Sequence, residues 1–262
     1  MKRTLVIPAA GMGTRLRSHL PKLLTPVAGQ PMIAHILARF RPYCDEVVIV
    51  INPAARDAAG CLSSSGNPVT LVEQVTPSGM LDAILLADEA VRATQPDRVW
   101  ICWCDQVLLS AETLERMADR ERDSTPPTAV FPTACLRDPY IHFDRDAAGT
   151  LIGVRQRREG DQMPEVGETD SGVFGLSAEA YTVWLREYAG RAVPGKATAE
   201  RNFLPFLPWL AARSTVATVA VMDTIETLGI NSPEDLAVAE SYLRSSGGAQ
   251  RRPSPRGSHT PR

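Results

Sequence analysis

No charge of either sign dominates this sequence. Its 28 lysines and arginines stand against 30 aspartates and glutamates, a net charge of −2, so nothing favours a nucleic-acid or membrane partner. No apolar stretch is long enough to span a bilayer. Met1-Lys-Arg-Thr4 leads into a strand-like segment rather than a signal peptide, and a cytoplasmic location is the expectation. Cysteines are odd in number and scattered: Cys44, Cys61, Cys102, Cys104 and Cys135. Cys102 and Cys104 share one apolar segment, which favours core packing in a reducing compartment over zinc or a disulfide. The histidines (His19, His35, His142, His259) lack ligand spacing, and none is given a catalytic role. Internal repeats are absent.

What is present is an alternation of strand and helix signals over most of 262 residues, 44% of them hydrophobic. That pattern predicts an α/β protein with a mainly parallel sheet. Strands are expected at 4–9, 46–51, 69–72, 99–104, 128–131, 141–143, 151–154, 173–176 and 216–221. Helices are expected over 31–40, 79–92, 110–119 (with Ser110 as N-cap), 178–188 and 199–213. Ser232-Pro-Glu-Asp235 has capping-box spacing with proline at the first helical position, so a last helix should run to about Leu243. A small-residue loop is expected at 63–67. From Ser245 the chain is Gly, Ser, Pro, Arg and Gln without apolar periodicity, and a disordered tail over 245–262 is expected.

The most informative stretch is the first loop, Ala9-Ala10-Gly11-Met12-Gly13-Thr14-Arg15, with Pro21-Lys22 after it. Glycines let a backbone turn sharply and approach a ligand closely, so that its N–H groups can cradle an anion. Arg15 and Lys22 add positive charge where that anion would sit. A dinucleotide fingerprint would need a third glycine where Leu16 stands, and an acidic residue where Asn52-Pro53 ends the second strand. A Walker A loop would need Gly-Lys-Ser/Thr, which is missing. A plain strand-to-helix turn explains Gly11 and Gly13 but leaves Arg15 and Lys22 without a reason.

The run from Ala9 to Arg15, then Pro21-Lys22 and Pro26-Val-Ala-Gly-Gln-Pro-Met32, resembles the signature of sugar-1-phosphate nucleotidylyltransferases. The likeness is greatest to the uridylyltransferase domain that activates N-acetylglucosamine 1-phosphate, and weaker similarity continues to about residue 243. It implies a Rossmann-like three-layer fold with a mixed, mainly parallel sheet: a domain over 1–244 with an acceptor-binding insertion at 136–176. It implies transfer of a nucleoside monophosphate from a triphosphate to a phosphorylated small molecule, with release of pyrophosphate. Ala9, Ala10, Gly11, Gly13 and Thr14 would face the nucleotide, Arg15 the triphosphate, and Lys22 the reacting phosphates. Asp105, after the strand ending at Cys104, matches the residue that holds Mg²⁺ (or Mn²⁺), with Asn231 as second ligand and Asp223 its rival. Gln74 and Gly79 resemble the segment that reads base and ribose, although Met80 stands where relatives carry threonine.

Glu168-Thr-Asp170-Ser-Gly172 resembles the Glu-x-Asn-x-Gly element that grips the acceptor. Here an aspartate replaces the amide donor. With Gln156 from the charged run 155–164, Glu168 and Asp170 are the acceptor-binding candidates. Tyr140-Ile-His-Phe143 departs from the Tyr-Gly-Arg of relatives. Bifunctional relatives also carry an acetyltransferase β-helix, of which this sequence has no trace, so acetyl transfer is not expected. The base, the acceptor and a homo-oligomeric state stay open. A cytidylyltransferase acting on a phospho-alcohol or phosphonate is the alternative, and a silent nucleotide sensor is disfavoured by Arg15, Lys22 and Asp105.

Overall fold

The structure is a computed structural model and describes residues 1–11, 13–16, 20–56, 68–76 and 78–249. Met12, His19, Cys61, the loop expected at 63–67, and residues 250–262 of the expected tail, with His259, lie outside the described residues.

Three apolar strands form the centre: β1 (Arg3–Ala9), β4 (Glu46–Ile51) and β6 (Arg98–Cys102). They are near-continuous runs of buried residues, the pattern of parallel strands covered on both faces. Alternation along β1 sends Leu5 and Ile7 to one core and Val6 to the other. The first core holds Ile33, Ile36, Leu37 and Phe40 of the helix Met32–Phe40, with Leu114 and Met117 of the helix Ala111–Glu121. The second holds Leu81, Ile84 and Val91 from Met80–Leu86 and Asp88–Thr94, with Tyr181, Leu185, Phe203 and Phe206. The result is a three-layer, Rossmann-like α/β fold.

The sheet also contains β5 (Val69–Glu73), β7 (Ala129–Arg137), β10 (Val166–Asp170), β11 (Val173–Ser177) and β12 (Val216–Ala220). Its order is β10-β7-β11-β6-β1-β4-β5, with β12 on the other edge of β7. Pairings within β6-β1-β4-β5 are parallel, and β11 enters antiparallel between β6 and β7. Because β4 and β6 leave β1 in opposite directions, a crevice opens at the carboxyl ends of β1 and β6, where sheets of this kind collect ligands. Of the stretch 136–176, β10 and β11 belong to this main sheet. Only the hairpin β8 (Ile141–Arg145) and β9 (Leu151–Gln156) forms a sheet of its own. Small strands β2 (Pro26–Val27) and β3 (Gln30–Pro31) pair after the first loop.

Several expected elements are reshaped by tertiary contacts. The helix expected over 79–92 is two helices meeting at buried Ala87, and the second opens on Asp88, which Arg92 and Arg186 both engage. The helix expected over 199–213 shrinks to Phe206–Ala211, because Pro205 has no N–H and sets its start. β7 continues to Arg137 since β10, unforeseen in the sequence, pairs with its second half. Ser110 does cap its helix, accepting from the Thr113 N–H at 3.0 Å. The box at Ser232 and Asp235 is reciprocal (3.1 and 2.8 Å). Its helix runs on to Ala249, past the boundary expected at Leu243.

One buried charge ties the sheet to its flanking layer. Glu121, fully buried, accepts from Arg3 Nε (2.8 Å), Arg98 Nε (2.9 Å) and Trp100 Nε1 (2.8 Å). A Cβ on Gly175 would stand 2.6 Å from Glu121 Oε1, so that position on β11 admits no side chain. Removing the carboxylate would leave two arginines buried without their anion. Glu121→Leu is expected to destabilise the fold by about 3–5 kcal/mol, measured by denaturant unfolding.

Candidate active site

The crevice holds a cleft of ≈ 650 Å³. Its near wall starts where β1 ends. Ala9 closes the strand and is buried, Ala10 and Gly11 line the cleft, and Gly13 follows with Arg15 from the short turn Thr14–Leu16. Gly13 has φ +62°, and a Cβ there would lie 2.8 Å from Lys22 Cβ. Glycine is thus needed twice over, for its backbone angle and for the approach of Lys22.

Lys22 begins the turn Lys22–Leu24 and joins three distant parts of the chain. Its Nζ donates to Asp105 Oδ2 at 2.5 Å and to Asn231 Oδ1 at 2.8 Å. Arg15 Nη2 donates to the same Asn231 oxygen at 2.9 Å. Asp105 stands just past β6, and its backbone carbonyl accepts from the Ile230 N–H, which sets Asn231 beside it. Asn231 is fixed in turn, its N–H donating to Asp235 Oδ2 at 2.9 Å and its amide nitrogen to the Gly229 carbonyl at 3.1 Å. Asp223, the rival, is absorbed elsewhere: its carboxylate accepts from the Ile225 N–H in a capping box with Glu226.

The oxygens of Asp105 and Asn231 therefore converge on one cation, the Lys22 ammonium. Asp105 Oδ1 is buried and has no hydrogen-bond partner. Two hard oxygen donors, one with an unused buried lone pair, suit Mg²⁺, which binds proteins through one or two such groups and fills its shell with water and phosphate. Among the described residues no group of three or more His, Cys, Asp or Glu side chains could hold a metal by itself.

Gln74 follows β5 and lines the cleft with Gly79, Met80 and Ala83. It is buried, its N–H donates to the Ile51 carbonyl at 2.8 Å, and its side-chain Nε2 has no partner. Gly79, at φ +123°, sits against the backbone of Arg201, where a Cβ would come within 2.5 Å. Asp82 pairs with Arg201 and takes no part in the cleft lining. Trp103 and Cys104 complete the floor. Burial pushes the Cys104 thiol up to about 12, so it is protonated and offers no thiolate.

The acceptor candidates stand apart from the cleft lining. Glu168 is held by both arms of Arg145 (2.6 and 2.8 Å), which fastens the β8–β9 hairpin to β10. Gln156 ends β9, its N–H donating to Asp161. Asp170 is buried and accepts from the Gly172 N–H at 2.7 Å. Burial raises its carboxyl to about 6 against the pull of that bond, and the charge of Asp105 adds to the rise. Tyr140, Arg158 and Glu200 line the far wall. Glu200 comes from a segment expected to be helical, and only the fold brings it to the cleft.

A family profile described as "MobA-like NTP transferase domain" matches residues 5–165, more than half of the chain. The chain belongs to that family. It is a nucleotidyltransferase. It is also similar to the protein named bifunctional protein GlmU in several bacteria. The identity is 32% in Kineococcus radiotolerans, over 92% of this chain and 49% of that protein. It is 30% in Desulfotalea psychrophila (92% and 70%) and 30% in Azotobacter vinelandii (94% and 52%). The chain spans about half the length of two of these three relatives. Among the described residues no helix is long and apolar enough to cross a membrane.

One measurement tests the first loop and a second tests the buried Asp170 carboxyl. Gly13→Ala must strain the loop and displace Lys22, so pyrophosphate release should fall at least about 10-fold with little change in far-ultraviolet circular dichroism. Asp170→Asn keeps an oxygen for the Gly172 N–H and removes a buried carboxyl whose folded pKa lies above its unfolded value near 3.8. The folded chain holds that proton after the unfolded chain has lost it, so stability falls as pH rises from about 4 to 6. The melting temperature of Asp170→Asn should accordingly exceed that of the parent at pH 8, with a smaller difference at pH 4.

Proposed function

We propose that this protein transfers a nucleoside monophosphate from a nucleoside triphosphate to a sugar 1-phosphate. The observation that carries the reading is the meeting of Arg15, Lys22, Asp105 and Asn231 at the crevice between β1 and β6. An acceptor phosphate oxygen attacks the α-phosphorus, the bond from that phosphorus to the bridging oxygen breaks, and pyrophosphate leaves with the electron pair. Neither a covalent nucleophile nor a general base is required, because the attacking phosphate oxygen is already ionised. The barrier is dominated by bringing two polyanions together, and stabilisers fixed in advance lower it most.

In this reading Ala10, Gly11 and Gly13 pack against the nucleotide, and the unpaired Gln74 amide donates to the base. Arg15 holds the triphosphate. Lys22 exchanges its contacts with Asp105 and Asn231 for the reacting phosphates. Asp105 and Asn231 would then hold Mg²⁺, which supplies charge neutralisation on the phosphate oxygens when bound. Residues 1–244 form the transferase domain, with 136–176 contributing the acceptor wall. Membership of the MobA-like NTP transferase family supports such a chemistry.

Pyrophosphate release from a panel of triphosphates against sugar 1-phosphates and phospho-alcohols tests the proposal. Turnover is expected with a sugar 1-phosphate and divalent metal, whereas turnover confined to phospho-alcohols would replace it with a cytidylyltransferase-like reading. Lys22→Ala and Asp105→Asn should each lower the rate at least about 100-fold, the scale of losing one transition-state charge stabiliser.

A further inference from the structure

The far wall of the cleft carries an ion pair that the transfer step does not need. Arg158 donates from Nη1 and Nη2 to the two carboxylate oxygens of Glu200, both at 2.9 Å. The side chains are 50% and 33% exposed, and both line the cleft beside Tyr140. So open a pair adds little to stability.

Nor is the pair needed to hold its own segment. Residues 195–202 form a strap that brings Glu200 to the cleft wall, and Glu159, next to Arg158, anchors it. The buried Glu159 carboxylate accepts from Thr198 Oγ1 (2.6 Å), Asn202 Nδ2 (3.0 Å) and the N–H groups of Ala197 (3.0 Å) and Thr198 (3.3 Å). Burial alone would raise its pKa, and these bonds outweigh burial and bring it to about 2. The strap is tied at its other side by Arg201, whose N–H donates to the Ser78 carbonyl and whose carbonyl accepts from the Leu81 N–H. Arg158 and Glu200 thus stand on a rigid support and are free to face a ligand.

Their chemistry specifies what that ligand is. Joined fork to fork, the pair is neutral as a unit, so it does not recruit a second anion, which the Glu200 carboxylate would repel. It leaves further N–H donors and carboxylate lone pairs side by side. A hydroxyl both donates and accepts, and neighbouring hydroxyls match such a surface. The half-exposed Tyr140 ring offers an apolar face beside them, as a sugar ring requires.

We propose that Arg158 and Glu200 are specificity-determining residues that read neighbouring hydroxyls on the acceptor, a sugar whose one anionic group is the attacking phosphate. This rests on the nucleotidyl transfer to a sugar phosphate argued above. It excludes uronic acid phosphates and bisphosphates as preferred acceptors.

The test uses the full chain with Mg²⁺ and reads pyrophosphate release. The probes are glucose 1-phosphate and N-acetylglucosamine 1-phosphate, their 3-, 4- and 6-deoxy derivatives, and glucose 1,6-bisphosphate. At least one deoxy derivative should raise the parent's acceptor KM about 10-fold, the scale of one lost hydrogen bond. Arg158→Gln and Glu200→Gln should raise the KM for the intact acceptor about 10-fold, abolish discrimination against that derivative, and keep the triphosphate KM within about twofold. A purely structural role would shift both KM values and the melting temperature together. If the parent turns over sugar phosphates and the variants keep its acceptor KM and discrimination, or if the triphosphate KM moves instead, the inference fails alone. A preference of the parent for the bisphosphate also overturns it. If the parent turns over no sugar phosphate, the proposed function fails and this inference with it.

Discussion

One ammonium group organises the candidate site. Lys22 Nζ reaches Asp105 and Asn231, which lie 83 and 209 residues further along the chain. Without a cation the partly buried Asp105 carboxylate would face the Asn231 carbonyl oxygen across a shared space, an arrangement that a low local dielectric makes costly. Everything around it serves that meeting. Gly13 gives Lys22 room, the Asp105 backbone positions Ile230, and the capped start of the last helix orients Asn231. The same convergence of oxygens on a cation is what a divalent ion bridging phosphates would use.

The sheet explains why the three segments can meet. β1 and β6 are neighbours and parallel, so the loops after them emerge at the same edge. β11 enters antiparallel between β6 and β7, and this turns the second half of the chain back over the cleft as an opposite wall. Two buried carboxylates steady the two halves. Glu121 joins β1 and β6 to the helix behind them, and Glu159 pins the strap that carries Glu200. One wall is cationic and repeats the family signature. The other is built from Tyr140 and the Arg158–Glu200 pair, and Tyr140 opens the run Tyr140-Ile-His-Phe143 in which this chain departs from the motif it resembles.

Legibility from the sequence followed the range of the forces at work. The central strands and the helix Met32–Phe40 could be read because burial on one or both faces writes a short-range pattern. The first loop was readable because glycines and cations a few residues apart carry their own chemistry. Its residues Ala10, Gly11, Gly13, Arg15 and Lys22 do line the cleft, as do Gln74, Gly79, Asp105 and Asn231. Glu168 and Asp170 were named from a linear motif and Gln156 from a charged run; in the fold Arg145 holds Glu168, the Gly172 N–H bonds Asp170, the Gln156 N–H bonds Asp161, and the cleft lining does not include the three.

By itself, then, the sequence determined the α/β class, the parallel core and the anion-handling loop, all consequences of contacts between residues near in the chain. Asn231 was preferred to Asp223 on the sequence, and tertiary structure alone decided that β10 pairs with β7 and that Arg158 faces Glu200. Those outcomes depend on which distant segments the sheet order sets side by side. A single polar residue carries no periodicity to announce its partner.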